Sequence, residues 1–161
     1  MKTKKIMLAC LITLWISLPL SAFAGGVGQV YYDLGVFAFD EGNYVSAEGH
    51  FKEANQKEPD NPYYHNFLGK TYLKTKKSQE AVVVLETAWK LNPDISSLQF
   101  DLATAYYEVG NYNKAAELLE DLVNKDPGNV LARYYLGMSY FRQDKYGQAL
   151  PPLQQAGEEN K

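Results

Sequence analysis

Few side chains in this 161-residue chain are of a kind that performs chemistry, and their spacing argues against a reaction centre. The two histidines are His50 and His65, and the one cysteine is Cys10. A metal site or an acid–base centre would need these types gathered at ligand or triad spacing, and no such cluster occurs. Glu48, Glu53, Glu117, Glu120 and Asp121 recur at helical spacing, on faces expected to be solvated. A catalytic carboxylate pair would need a pocket that perturbs one member, and nothing in the pattern marks one. Gly25-Gly26-Val27-Gly28 follows no strand, so it reads as a flexible leader and not as a phosphate-binding loop. The expectation is a protein without metal, cofactor or catalytic residues, and not an enzyme.

The elements that carry these residues repeat. Four segments superpose at a constant offset of 34 residues, marked by Gly35, Gly69, Ala103 and Gly137. Ala47, Ala81, Ala115 and Ala149 follow, and Pro59, Pro93 and Pro127 close the first three units. Such a period implies stacked supersecondary units, each unable to bury its apolar face alone. Each unit reads as two helices. Leu34, Leu68, Leu102 and Leu136 lie on the first, and Phe51, Leu85, Leu119 and Leu153 on the second. Glu41-Gly42-Asn43, Lys76-Lys77, Gly110-Asn111 and Asp144-Lys145 form the turns between them. The prolines end the second helix, while Asn61 and Asn129 suit the N-cap of the next first helix, with Pro62 in its first turn. The glycine on the first helix is expected to face the alanine on the second, so that the helices approach closely, with Tyr72, Tyr106 and Tyr140 filling the wedge. Pro151-Pro152 fall inside the last second helix and predict that it is kinked or starts late.

The order of these marks resembles the tetratricopeptide repeat: Tyr31, Leu34-Gly35, Ala47, Phe51, Ala54 and Pro59 in the first unit, and Leu68-Gly69, Tyr72, Ala81, Leu85, Ala88 and Pro93 in the second. The third has Ala103 for the glycine and Leu122 for the later alanine; the fourth keeps Leu136-Gly137, Tyr140, Ala149, Leu153 and Ala156. The resemblance implies an all-α fold, a right-handed α-solenoid of about four helix-turn-helix repeats over residues 28–61, 62–95, 96–129 and 130–161. The last lacks a polar capping helix.

It also implies that the first helices line a concave inner face, and repeat arrays commonly hold partners on such surfaces. The candidate groove residues are Tyr32, Val36 and Phe39 from the first repeat, and Tyr63, Phe67 and Lys70 from the second. Phe100, Thr104 and Tyr107 come from the third, and Tyr134, Met138 and Phe141 from the fourth. Gln29, Asp40, Asn66, Lys74, Ser97, Asp101, Glu108, Leu131, Tyr135 and Arg142 share that face. Exposed aromatics there suit a protein or peptide partner, with packing between repeats as the competing use. Chaperone-binding members of the family hold a C-terminal carboxylate with lysines, asparagines and an arginine. The corresponding positions here, Tyr32, Val36, Phe67, Ser97 and Asp101, lack that clamp. An extended or helical segment with apolar anchors fits better. The expected function is an adaptor or assembly factor. The alternatives are a self-associating solenoid joined through the C-terminal repeat, the front part of a longer array, and a small-ligand carrier or enzyme.

Residues 1–24 differ in kind. Lys2, Lys4 and Lys5 precede an apolar run from Ile6 to Leu20, and Ala22-Phe23-Ala24 is a small-x-small site. This is the anatomy of a secretory signal peptide cleaved after Ala24, followed by a short leader over 25–27. The apolar run is short of the roughly 20 residues of a membrane-spanning helix, which leaves an uncleaved anchor as the lesser reading. Cys10 precedes most of the run, whereas a lipidation site would follow it. Export into a periplasm is the expected location. Cleavage takes the net charge from −3 to −6 by removing three lysines, leaving no polybasic run. Nucleic acid and anionic membrane surfaces are therefore poor partners.

Overall fold

The computed structural model describes residues 26–158, so the signal peptide, its cleavage site and Cys10 lie outside the described residues. Within them the chain forms eight helices: α1 Val27–Asp40, α2 Tyr44–Lys57, α3 Pro62–Lys74, α4 Ser78–Leu91, α5 Leu98–Glu108, α6 Tyr112–Lys125, α7 Val130–Phe141 and α8 Tyr146–Glu158. The second helices begin at 44, 78, 112 and 146, each 34 residues after the last.

Local chemistry sets these boundaries. Asn61 and Asn129 accept hydrogen bonds from Tyr63 N and Ala132 N, capping α3 and α7 as expected. Asn43 and Asn111, read only as turn residues, cap α2 and α4's successor α6 in the same way through Ser46 N and Lys114 N. The 34-residue step from Asn61 lands on Ile95, which has no side-chain acceptor, and α5 accordingly starts only at Leu98. Before Pro59, Pro93 and Pro127 stand Glu58, Asn92 and Asp126, with φ of −138°, −156° and −132°, the extended backbone that a following proline favours. Each hairpin turn passes through the left-handed region once, at Gly42 (φ 74°), Lys76 (62°), Gly110 (83°) and Asp144 (59°). The next residue's N–H reaches back to the carbonyl of Ala38, Tyr72, Tyr106 or Tyr140, the closure that leaves few helix-end carbonyls unpaired.

Two expectations are corrected. The leader over 25–27 gives way to helix at Val27, with Gly26 as N-cap. Gly28 is buried against Glu58, where a Cβ would lie 2.7 Å from its Oε1. The marked glycines, moreover, come closest to the large apolar residue of the second helix. A Cβ at Gly35 would lie 2.6 Å from Phe51 Cε1, at Gly69 2.5 Å from Leu85 Cδ2, and at Gly137 2.5 Å from Leu153 Cγ, with the expected alanine next at Gly137, Ala149 O at 3.0 Å. Ala47, Ala81 and Ala149 are buried on the same second helices. As for Pro151-Pro152, α8 does not start late: it begins in register at Tyr146 and contains both prolines. The carbonyls that lose their donors are those of Gly147 and Gln148, which are exposed to water.

Each hairpin packs on the next, α2 on α3, α4 on α5 and α6 on α7. Consecutive first helices also touch, α1 on α3, α3 on α5 and α5 on α7, whereas no two second helices do. The stack therefore curves, with the first helices on the inside.

Candidate functional site

The inner face narrows to a groove of about 530 Å³ between α1, α3, α5 and α7. Phe39, Leu73, Phe100 and Tyr135 form its apolar walls; Lys70, Lys74, Lys76, Asp101, Thr104 and Glu108 supply its charge and polarity. Two ion pairs tie the second repeat to α5: Lys70 Nζ on α3 lies 3.7 Å from Asp101 Oδ2, and Lys76 Nζ in the α3–α4 turn lies 3.3 Å from Glu108 Oε1. The Ser78 hydroxyl also donates to Glu108. Lys70 sits 5.2 Å over the Phe67 ring, so its ammonium is held by an aromatic face as well as by a carboxylate. Burial pushes the Asp101 carboxyl above its usual range, against the pull of Lys70 and Ser97. Oδ2 of Asp101 is buried, and its charge partner is the Lys70 ammonium.

Of the twelve sequence-derived groove residues, the structure brings Phe39, Lys70, Phe100 and Thr104 into this space. The Thr104 hydroxyl donates to Phe100 O at 2.9 Å. Tyr32 and Phe67 turn toward packing instead. Tyr32 stacks on Tyr64 at 5.0 Å, meets Phe67 edge-on at 5.2 Å, and touches Phe51. Val36 packs half-buried against the core. Tyr107 lies edge-on to Tyr112 and Tyr135, and Met138 is half-buried. Tyr63, Tyr134 and Phe141 are 50%, 46% and 48% exposed. Tyr63 lines a separate cleft with Glu58 to Pro62; Tyr134 leans on Tyr135, and Phe141 on Tyr146.

Leu73 and Lys76 complete the groove and were not read from the sequence. Lys76 had a legible signal, since it stands where Gly42 and Gly110 stand in neighbouring repeats. A second cleft, about 320 Å³, opens on the outer side between α4 and α6, lined by Glu86, Trp89, Tyr106, Lys114 and Leu118 among others. There Tyr106 donates to Glu86 and Lys114 lies 4.7 Å over the Tyr106 ring. Glu48, expected to be solvated, is 12% exposed at its side chain and paired with Lys52 at 2.6 Å and Lys77 at 2.8 Å. Burial raises its pKa and the two lysines more than offset that, so the carboxyl sits below its usual range. His65 Nε2 lies 2.7 Å from Pro59 O, which ties α3 to the loop before it. Among the described residues no group of three or more His, Cys, Asp and Glu side chains could hold a metal ion, and no helix is long and apolar enough to cross a membrane.

Residues 38–99 and 100–160 each match the tetratricopeptide repeat family, which accounts for the step, the turns and the curvature together. The chain is a tetratricopeptide repeat protein. Solved structures of similar fold include MamA from Desulfovibrio magneticus RS-1, at TM-score 0.77 and 22% identity over 83% of this chain and 76% of that one. YrrB, described as a TPR protein with an unusual peptide-binding site, gives 0.77 at 23% identity over 82% of this chain and 68% of that one. The first TPR of Spaghetti (RPAP3), bound to the HSP90 peptide SRMEEVD, gives 0.67 at 20% identity over 73% and 93%. At these identities the likeness is one of fold. Tetratricopeptide repeats are in general scaffolds for protein interaction.

Proposed function

We propose that this tetratricopeptide repeat protein is a non-enzymatic adaptor or assembly factor of the periplasm, which holds a partner segment in its inner groove. The observation that carries the reading is the groove itself: aromatic walls at Phe39, Phe100 and Tyr135 around a charged floor in which Lys70 pairs with Asp101. A segment with apolar anchors and a polar group between them matches that pattern. The peptide-binding site of YrrB and the HSP90 peptide on the first TPR of Spaghetti lend the fold-level analogy. Location rests on the basic start, apolar run and Ala22-Phe23-Ala24 site alone.

The test is in-cell crosslinking followed by capture from cell envelopes, with the full-length reading frame beside a Lys74→Glu, Asp101→Asn variant of equal helicity. Both substitutions alter the groove without emptying the core. A partner captured by the first and lost by the second supports the groove; the same partners with both refute it. The mass of the captured chain tests location, with loss of residues 1–24 and recovery in the periplasmic fraction expected. A second reading, self-association through repeat four, has in its favour the exposure of Phe141, Tyr146 and Leu150.

A further inference from the structure

An exposed apolar feature lies on α1, on residues other than the one, Phe39, that this helix gives to the groove. Val27, Val30, Leu34 and Phe37 are 63%, 43%, 46% and 68% exposed, and their spacing places them in one stripe along the helix. The stripe is not a random surface. Val30, Leu34 and Phe37 stand 34 residues before Tyr64, Leu68 and Thr71, which are 1%, 5% and 0% exposed. Those residues are buried by the second helix of the preceding hairpin, and the same positions in α5 and α7 are buried alike. On α1 the side chains suited to that interface are in place, and no described element covers them.

The far end of the array carries the other half of the same interface. Leu150 on α8 is 56% exposed, whereas Ala116, one repeat earlier, is 5% exposed. Phe141 is 48% exposed, while its counterpart Tyr107 is covered by Tyr135 of the next repeat. Charge also matches: α1 and its turn carry Asp33, Asp40 and Glu41 and no cation, while the last hairpin turn presents Arg142 and Lys145 around Asp144.

We infer that the α1 stripe receives the α7–α8 end of a second copy, head to tail, so that copies continue the interface already used three times within each chain. This deepens the second reading above by naming the surface that repeat four meets. Such a contact joins unlike surfaces, so it does not close on itself at a dimer. Exposed patches of this kind, rimmed by charge, are where soluble proteins dock.

Sedimentation of the purified product of the full-length reading frame tests the assignment, alone and with two variants. Phe37→Glu spoils the head and Leu150→Glu spoils the tail; both positions are more than half exposed, and circular dichroism checks that each variant keeps its helices. The expected result is a wild-type mass that rises with concentration past the dimer, and single variants that stay monomeric. An equimolar mixture of the two variants should form a dimer and nothing larger, because one intact head and one intact tail remain per pair. If Phe37→Glu alone still associates and Leu150→Glu does not, repeat four pairs with itself: self-association stands and the α1 assignment is overturned. If the wild type stays monomeric to near-millimolar concentration, both fail, and the stripe is covered by another element, such as the Ile6–Leu20 segment, or by another protein.

Discussion

Gly69 and Gly49 are both glycines inside helices, and replacing each by alanine should move stability in opposite directions. In the middle of α2, Gly49 has nothing within 4 Å of where a Cβ would stand. Alanine there gains the helix-propensity difference of about 1 kcal/mol. At Gly69 the same gain is opposed by a clash. The new methyl would lie 2.5 Å from Leu85 Cδ2 and closer still to Cγ, and Leu85 is fully buried with no solvent to retreat into. Forcing a methyl into a filled core costs typically 1–3 kcal/mol. The net at Gly69 is therefore a loss of up to about 2 kcal/mol, leaving the two variants about 1–3 kcal/mol apart.

The chain bounds that cost from above. Ala103 occupies the same register against Leu119, and both are fully buried, so the hairpin geometry can accept a methyl where the rest of the repeat has adjusted to it. Urea unfolding followed by circular dichroism reads the difference. With a slope of roughly 1–3 kcal/mol per molar, the two midpoints should separate by about 0.5–1 M or more. If Gly69→Ala proves as stable as Gly49→Ala, the glycine does not set the helix separation and the close-approach argument fails.

Further substitutions test other parts of the reasoning. Lys76→Gly should stabilise the protein by about 1 kcal/mol, because a left-handed non-glycine residue costs roughly that much and the exposed Lys76–Glu108 pair returns little; an unchanged urea midpoint would contradict it. Asn43→Ala and Asn111→Ala should each cost about 1 kcal/mol through the lost caps on α2 and α6, read in the same assay. Tyr64 gives a pH prediction. Burial, reinforced by Glu58, pushes its phenol up to about 12, against an ordinary value of about 10. The folded state keeps a proton that the unfolded chain releases, so this contribution is whole below pH 10 and is lost as pH rises toward 12, at about 1.4 kcal/mol per unit. Tyr64→Phe should flatten that alkaline limb, and a limb of equal slope in the variant would refute the assignment.

The repeat, its turns and its breaks were legible because they depend on single residues. Pro59 follows a second helix and Asn61 and Asn129 precede a first one, so these could be read one at a time, whereas Pro151 and Pro152 lie within α8 and end nothing. The partner of a small residue could not. Gly35, Gly69 and Gly137 announce closeness, but the atom they approach is fixed by how two helices cross, and it proved to be the bulky Phe51, Leu85 or Leu153. The candidate site shows the same division. Which helices form the inner face follows from the step, whereas the fate of an aromatic depends on rings contributed by other repeats. Tyr32 was read as a groove residue, yet Phe51, Tyr64 and Phe67 surround it, and those come from two other helices, α2 and α3.

One register position shows how a uniform backbone acquires a patterned surface. Residues 33, 67, 101 and 135 are related by the 34-residue step and read Asp, Phe, Asp, Tyr. From the second repeat onward this position meets the preceding first helix. The seam between repeats one and two is therefore aromatic, Phe67 on Phe39 at 6.3 Å. Between two and three it is ionic, Asp101 on Lys70. Between three and four it is aromatic again, Tyr135 on Tyr107 at 5.4 Å. Packing alone does not require the alternation, since Phe67 and Tyr135 fill the same position at either side. Placing a carboxylate at the central seam costs desolvation, and the upward shift of Asp101 is its sign. The central seam is thus the polar one, an ammonium paired with a carboxylate, and an aromatic seam lies on each side of it.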